Sequence, residues 1–394
     1  MRVPPNVPNR DADGDEIVCR LKKSLYGLRQ AAREWSAVLD STLSAFGFRR
    51  LITDTCVYRV DDGSGRTMVL MCYVDDLILA YSHDDLRDSF SAHLTSRLPI
   101  DDRGTLQWVL RMELVPAPSG DALHVSQEQY AVRIADKYLP SDVVVRVCSS
   151  PLDETCPLSH DMSPALDSPE HDKMSAHRAA YMSAVGALLW LAGGSRPDLT
   201  YAVALLARFC TNPGEPHLMA LYRVLAYVRA TASRVLVIRP DSSRHLEVYS
   251  DASWAARNST SGGLVLFAGV PVAWWTRRQK SVSASTAEAE FFAASLASRE
   301  GVWLQDFLED LGFGATRPTP MYLDSRAAID LTRDPVAFKL TKHILRHAHE
   351  LQDRVARGFF EAKFVETALQ LADILTKPLR PGVHAALLDR LLPV

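Results

Sequence analysis

Between Thr67 and Tyr81 two apolar stretches, Met68-Val-Leu-Met-Cys-Tyr-Val74 and Leu77-Ile-Leu-Ala-Tyr81, flank two adjacent aspartates, Asp75 and Asp76. Runs of this length and composition predict the strands of a buried β-hairpin with a charged tip. Upstream, apolar residues between Val18 and Phe48 recur at helical spacing around Trp35, Val38, Leu39, Leu43 and Phe46, after a polar, Pro- and Asp-rich lead-in over 1–17. Downstream, His83 to Arg97 reads as a polar helix, and Leu106–Val115 with Leu123–Val125 as a second hairpin. Ser126 is placed to cap a further helix. Residues 149–175 carry Ser, Pro, Asp and His with little periodicity and predict a linker. A helical block follows over 178–232, interrupted at Gly193-Gly-Ser-Arg-Pro197 and Asn212-Pro-Gly-Glu-Pro216. The last 150 or so residues change to a β-β-β-α-β-α-β-α rhythm. Its strands are His245–Asp251, Leu264–Phe267, Val272–Trp275, Thr319–Asp324 and Phe359–Val365. Its helices are Ser285–Leu311, one from Ser325, and a closing one from Leu371.

A length of 394 residues allows two or three domains, each with its own core. The 47% hydrophobic and 23% charged content is ordinary for a globular chain, and no apolar run reaches the ~18 residues of a membrane-spanning helix. The first residues hold no signal-peptide core. Six cysteines (19, 56, 72, 148, 156 and 210) show no C-x-x-C spacing. That disfavours a thiolate zinc site and a disulfide framework, and fits a reducing intracellular compartment. A net charge of −3 gives no global attraction to nucleic acid, so any such surface must be local.

The acidic residues carry the chemistry. Two like charges between buried strands cost several kcal/mol unless a cation neutralises them, so Asp75 and Asp76 fit a Mg²⁺ site for nucleotidyl transfer; an ordinary Asp-Asp turn is the alternative. In the C-terminal part, Asp251 and Asp324 end strands, while Glu288 and Asp373 stand in the first turns of helices. Singly, each has a structural explanation. Glu288 completes a Ser-x-x-Glu capping box from Ser285, the two aspartates suit strand ends or caps, and Asp373 suits a helix dipole. Together, strand end, helix start, strand end and helix start are how four carboxylates converge on one point of a small mixed sheet. Such a cluster repels itself unless it binds divalent cations, and two cations about 3.5–4 Å apart would clamp a scissile phosphate.

The motifs occur in a recognisable order: Leu25-Tyr-Gly-Leu-Arg-Gln-Ala31, Tyr73-Val-Asp-Asp76, Ser126-Gln-Glu-Gln-Tyr130, Tyr181-Met-Ser-Ala-Val-Gly186 and Arg196-Pro-Asp-Leu-Thr-Tyr-Ala202. Ser250-Asp-Ala-Ser-Trp-Ala255, Lys280-Ser-Val, Glu288-Ala-Glu-Phe291, Thr341-Lys-His-Ile344 and Ala372-Asp-Ile-Leu-Thr-Lys-Pro378 follow. From about residue 1 to 380 the chain resembles the C-terminal part of a copia-type LTR retrotransposon Pol polyprotein, reverse transcriptase followed by ribonuclease H. The resemblance implies an α/β (α+β) protein in three parts. Residues 1–150 would be a truncated reverse-transcriptase palm and thumb, 151–240 a linker and helical connection, and 241–394 a ribonuclease H-like mixed five-stranded sheet with helices.

The resemblance also assigns roles. The metal ligands of the ribonuclease H part match Asp251, Glu288, Asp324 and Asp373, with Glu290 the nearby competitor and Glu288 preferred as the first glutamate of the E-A-E pattern. Two Mg²⁺ or Mn²⁺ ions are expected there. The histidine that often precedes the last aspartate is missing from Glu366-Thr-Ala-Leu-Gln370. Arg277, Arg278 and Lys280 beside Trp274 and Trp275 suggest a patch for the hybrid's backbone, against the alternative of a solvated strand end. His343, His347 and His349 have partial metal spacing, but neighbouring Lys342, Arg346 and Arg354 disfavour a cation. In the polymerase part Asp75 and Asp76 match the catalytic hairpin, Asp75 being the stronger ligand candidate. Arg29 and Gln30 match the nucleotide and template pocket, and Gln107–Leu114, with Trp108, the hairpin that grips the primer end. Arg111 stands where the family usually has glycine, and Ala32 where it has proline.

A further catalytic aspartate and the basic fingers residues would lie upstream of Met1, so the polymerase half is expected to be incomplete. The expected activity is hydrolysis of RNA in RNA–DNA hybrids. The alternatives are a polymerase fragment active only with its upstream segment, or an inactive transposon relic that binds nucleic acid. Expected partners are RNA–DNA hybrid, primer–template and the remainder of the Pol polyprotein, with no membrane. The expected location is intracellular: the cytoplasm, a virus-like particle, and the nucleus.

Overall fold

The computed structural model describes residues 8, 10, 12–22, 24–25, 27–143, 149–155, 157–255, 258–280, 282–314, 317–333 and 342–393, without the side chains of 342–348. The chain divides into two units. One is Met1–Gly104 with Asp310–Gly312, and the other is Thr105–Glu309 with Phe313–Val394.

In the first unit, α1 (Ala31–Phe46) precedes β1 (Arg49–Arg50), β2 (Val57–Asp61), β3 (Thr67–Tyr73), β4 (Asp76–Tyr81) and α2 (Asp84–Thr95). The strands form one antiparallel sheet in chain order. Leu39 and Leu43 of α1 and Leu86, Phe90 and Leu94 of α2 pack on Tyr58, Val60, Met68 and Leu70. The helical spacing seen from Val18 becomes a helix only at Ala31. Gly27 lies at φ +88°, left-handed backbone that stops a helix from running through it.

The second unit opens with β5 (Trp108–Val109), β6 (Met112–Pro116), β7 (Leu123–Ser126) and α3 (Glu128–Tyr138). The helical block is α4 (Pro169–Gly194), α5 (Thr200–Ala207) and α6 (Glu215–Ala230), followed by β8 (Leu236–Ile238). β8 returns to pair with β7 and completes the sheet β5-β6-β7-β8. α4 starts inside the stretch expected as a linker. Proline opens it at Pro169, and Ser168 Oγ accepts the His171 amide at 3.1 Å, a standard N-terminal cap.

The C-terminal part holds β9 (Leu246–Ser253), β10 (Thr260–Phe267), β11 (Val270–Arg278), α7 (Thr286–Asp310), β12 (Thr319–Leu323), α8 (Arg326–Arg333), α9 (Lys342–Ala356), β13 (Phe360–Phe364) and α10 (Pro381–Leu391). Its sheet runs β11-β10-β9-β12-β13, antiparallel across the first three strands and parallel across the last two pairings. This is the mixed five-stranded, ribonuclease H-like sheet with helices that the resemblance implied. One face is covered by Phe291, Ala294 and Ala297 of α7 over Val248, Val265, Met321 and Phe360. The other packs Tyr249 and Leu264 against Leu371, Leu375, Leu387 and Leu388. The closing helix expected from Leu371 is instead a 3-10 turn, Leu371–Leu375, then α10. Pro378 lacks the amide that a continuous helix would need there, and Pro381 begins α10. Among the described residues no helix is long and apolar enough to cross a membrane.

Candidate active site

Asp251 sits near the end of the central strand β9 and is 1% exposed. Met321 and Tyr322 of β12 run parallel beside Val248 and Tyr249, so continuing that register two residues puts Asp324 level with Asp251. α7 crosses the adjacent face, where Ala289 and Ala293 pack on Ala252. That contact fixes the helix phase and turns Glu290 inward. One oxygen each from Asp251, Glu290 and Asp324 lies within 4.8 Å of the other two. Glu290 Oε2 also accepts the Ala252 amide at 3.1 Å.

The glutamate in the cluster is therefore Glu290, and the preference for Glu288 is corrected on placement. Residues two apart on a helix point to nearly opposite sides. Glu288 turns back to accept the Ala284 amide, while its own amide is received by Ser285 Oγ at 3.2 Å. This is close to the capping box that its spacing allowed, with Glu288 reaching the amide one residue before the Ser285 cap.

The start of α7 is anchored by buried Gln279 at the far end of β11. Its Nε2 donates to Ser261 Oγ at 2.9 Å and to the Ala289 carbonyl at 3.0 Å, and its Oε1 accepts Ser283 Oγ at 2.8 Å. Gln370 ties the two acid-bearing strands on the other side, its Nε2 donating to the Ser250 carbonyl at 3.0 Å. Thr367 Oγ1 donates to Asp324 Oδ2 at 3.0 Å.

Asp373 comes from the 3-10 turn and stands outside the three-carboxylate cluster, but beside Asp251. The turn reaches the sheet because Gly262, directly across from Asp251 on β10, has no side chain. A Cβ there would meet Thr376 Cγ2 at 2.6 Å and Leu375 Cβ at 2.8 Å. Thr376 Oγ1 donates to Asp251 Oδ2. Lys377 Nζ lies 2.9 Å from Asp373 Oδ1 and 3.8 Å from Asp251 Oδ2.

The electrostatics follow from packing acids together. Burial, then the charges of Asp251 and Asp324, push the Glu290 carboxyl up to about 10. Burial and Asp251 push Asp373 up to about 7 against the opposing pull of Lys377. Asp324 is raised by burial and Asp251. Burial alone would lower Lys377, but Asp251 and Asp373 outweigh it and hold the ammonium charged. The site carries more carboxylate than its own lysine can balance, and it offers hard oxygen donors. That donor set fits a hard divalent cation such as Mg²⁺ or Mn²⁺.

The basic patch takes a different form from the one expected. Arg277, Arg278 and Lys280 are exposed. Arg277 pairs with Glu300 at 3.1 Å and lies over Trp275, while Arg278 donates to Asn258 Oδ1. The tryptophans are not a free stacking surface. Trp274 Nε1 donates to the Ala192 carbonyl at 2.8 Å, and Trp275 packs on the core under α7. Strand alternation sends the two rings to opposite faces of a sheet that is covered on both.

In the first unit, Tyr73 pairs with Asp76, leaving Val74-Asp75 as a two-residue turn. Asp75 and Asp76 are exposed, which corrects the expected buried setting. The helices cover one sheet face only, and no residue of β4 is fully buried. Val74 is at φ +60°, a conformation that costs a β-branched residue of order 1–3 kcal/mol, and Trp35 Nε1 holds its carbonyl at 2.8 Å. Arg29 and Gln30 are exposed just before α1. Trp108 is half exposed on β5, beside a turn whose Leu110 and Arg111 both have positive φ. The side chains of His343 and His347 lie outside the described residues, as do Tyr26 and Thr341 of the quoted motifs. His349 is exposed.

Lys377, Thr376, Gln370 and Gly262 were missed as site residues. Lys377 and Thr376 were visible in the Ala372–Pro378 motif, one turn after Asp373, but nothing in the spacing showed which way they face.

Residues 1–147 match the family model described as "Reverse transcriptase (RNA-dependent DNA polymerase)". The chain is 32% identical over 365 residues to the retrovirus-related Pol polyprotein from transposon TNT 1-94 of Nicotiana tabacum, covering 92% of this chain and 27% of that protein. It is 31% identical over 301 residues to a transposon Ty5-1 protein of Saccharomyces cerevisiae, covering 75% of this chain and 92% of that one. The chain spans about a quarter of the length of the first three curated relatives it matches, 27%, 24% and 25%. Among solved structures it is similar to the N-terminal RNase H domain of a Mycobacterium tuberculosis protein, at 15% identity and a TM-score of 0.24, covering 37% of this chain and 96% of that one.

Proposed function

This chain belongs to the copia-type retrotransposon Pol polyproteins, and from that premise we propose that its C-terminal part hydrolyses the RNA strand of RNA–DNA hybrids with divalent cations. The observation that carries the proposal is the convergence of Asp251, Glu290 and Asp324, three carboxylates from three separate elements, within 4.8 Å. Asp251, Glu290 and Asp324 would hold one cation, and Asp251 with Asp373 a second. When bound, two such ions supply Lewis acidity for the attacking water and for the leaving oxygen.

The chain's own groups prepare that chemistry. The Thr376 hydroxyl and the Lys377 ammonium orient Asp251 from one side. Gln370 keeps β9 and β12 in register at their acidic ends. Gln279 fixes the first turns of α7 so that Glu290 enters at the required height. Exposed Arg277, Arg278 and Lys280 would hold the hybrid's phosphates, and selection would rest on hybrid shape and 2′-hydroxyls. The full chain should cleave a labelled RNA–DNA hybrid in Mg²⁺ or Mn²⁺ and leave DNA duplex intact. Cleavage that survives Asp251→Asn would remove the proposal.

A second reading, RNA-directed DNA polymerisation, is favoured by the strained Val74 turn, which carries Asp75 and Asp76 at an exposed hairpin tip. Primer extension on an RNA template, with Asp75→Asn as control, tests it. This activity is expected to depend on the rest of the polyprotein.

A further inference from the structure

Lys377 stands apart from the other groups at the site because it is a cation already resident among the acids. It follows Asp373 by one helical turn, and its ammonium lies 2.9 Å from Asp373 and 3.8 Å from Asp251. The side chain is about one-third exposed at 34%, while both partners are nearly sealed, at 5% and 2%. The remaining two acids are in a different condition. Among the described residues no Lys or Arg nitrogen lies within 4.0 Å of a Glu290 or Asp324 carboxylate oxygen. The cluster is thus divided. Glu290 and Asp324 have no basic partner in contact, while Asp373 and Asp251 share an ammonium.

We propose that Lys377 is a built-in competitor for the second cation, seated between Asp373 and Asp251 and displaced when that cation binds. The inference rests on the reading of these carboxylates as a cation site.

An ammonium and a divalent cation seek the same oxygens, but the ammonium brings one charge and only hydrogen-bond donors. A second cation must therefore separate Lys377 from Asp373, or bind beside a like charge about 4 Å away. Either route weakens its affinity, while the first site is left nearly unaffected. The four-carbon stem and partial exposure give the ammonium somewhere to go. Once moved, it stands at the mouth of the site, where the phosphates of a nucleic-acid substrate would receive it. The second position would then fill readily only in the presence of substrate.

The test is Mn²⁺ binding to the full chain without nucleic acid, measured by calorimetry and by the paramagnetic resonance of free Mn²⁺. The wild type should show one tight and one weak class of site. Lys377→Met should leave the tight class within about twofold and tighten the weak class by roughly tenfold or more, the scale expected for removing one charge about 4 Å away in a partly exposed site. Lys377→Gln repeats the test should the methionine variant fail to fold. Asp373→Asn should remove the weak class, and Glu290→Gln the tight one. Unchanged constants in both lysine variants, or a weakened second class, overturn the inference. If the wild type shows no Mn²⁺ site that Glu290→Gln removes, the reading of the cluster fails, and the inference with it.

Discussion

Replacing Glu290 by glutamine should make the cation-free protein more stable at neutral pH and remove most of its stabilisation by divalent cations. Glu290 is 8% exposed, and its carboxyl moves from an ordinary 4.5 up to about 10, first through burial and then through Asp251 and Asp324. A carboxyl raised on folding destabilises the folded state as pH climbs above its unfolded value. The penalty is absent below about pH 4.5 and grows until the folded value is reached. At pH 7 the folded group is still protonated while the unfolded one is ionised, so the penalty is set by the ~2.5 units between 4.5 and 7. At about 1.4 kcal/mol per unit this is about 3 kcal/mol. Glutamine carries no such penalty, and its side-chain oxygen can still accept the Ala252 amide that Glu290 Oε2 accepts at 3.1 Å. In EDTA at pH 7 the variant should therefore gain about 2–3 kcal/mol, roughly 3–5 °C in melting temperature for a unit of this size. At pH 4 it should gain nothing. In millimolar Mn²⁺ the wild type should rise and the variant much less, because only the weaker site remains to it. Denaturant titrations at both pH values, with and without Mn²⁺, make the measurement. An equal stability difference at pH 4 and pH 7, or a variant less stable than wild type in EDTA at pH 7, would refute the electrostatic argument.

Other outcomes follow from single contacts. Gly262→Ala would press a methyl onto Thr376 and Leu375 and shift the turn that bears Asp373. It should cost about 1–3 kcal/mol in denaturant melts and lower hybrid cleavage at least tenfold, with far-UV circular dichroism unchanged. Asp198 accepts Arg196 Nε and an Arg196 terminal nitrogen at 2.9 and 2.7 Å and the Tyr227 hydroxyl at 2.8 Å, fully out of water. Asp198→Asn would leave a buried guanidinium unbalanced and should cost about 3–5 kcal/mol by urea titration.

Much of the C-terminal part was legible because alternation and strand-end acids are local signals. β9, β12 and β13 lie where the pattern put them, and Asp324 and Asp373 each sit beside Asp251. The choice between Glu288 and Glu290 was not legible. Both stand in the first turns of α7, and which one faces the sheet depends on Ala289 and Ala293 packing on Ala252, a contact across nearly 40 residues. The return of β8 to β7, more than 100 residues later, is equally non-local. The aromatic half of the basic and aromatic patch was illegible for a related reason, since adjacent tryptophans on a strand face opposite sides of the sheet. The start of α4, by contrast, was written in Ser168-Pro169 and was obscured only by the polar composition around it. The expected burial of the Asp75–Asp76 hairpin assumed a cover on both faces of a sheet that α1 and α2 pack on one side only.

The most direct test of the central claim is cleavage of a strand-labelled RNA–DNA hybrid by the full chain across a Mg²⁺ or Mn²⁺ titration, beside Asp251→Asn and Glu290→Gln. The account predicts cation-dependent cuts confined to the RNA strand and lost in both variants. A folded wild-type chain that leaves the hybrid intact at every cation concentration, or variants that cut as the wild type does, would contradict it.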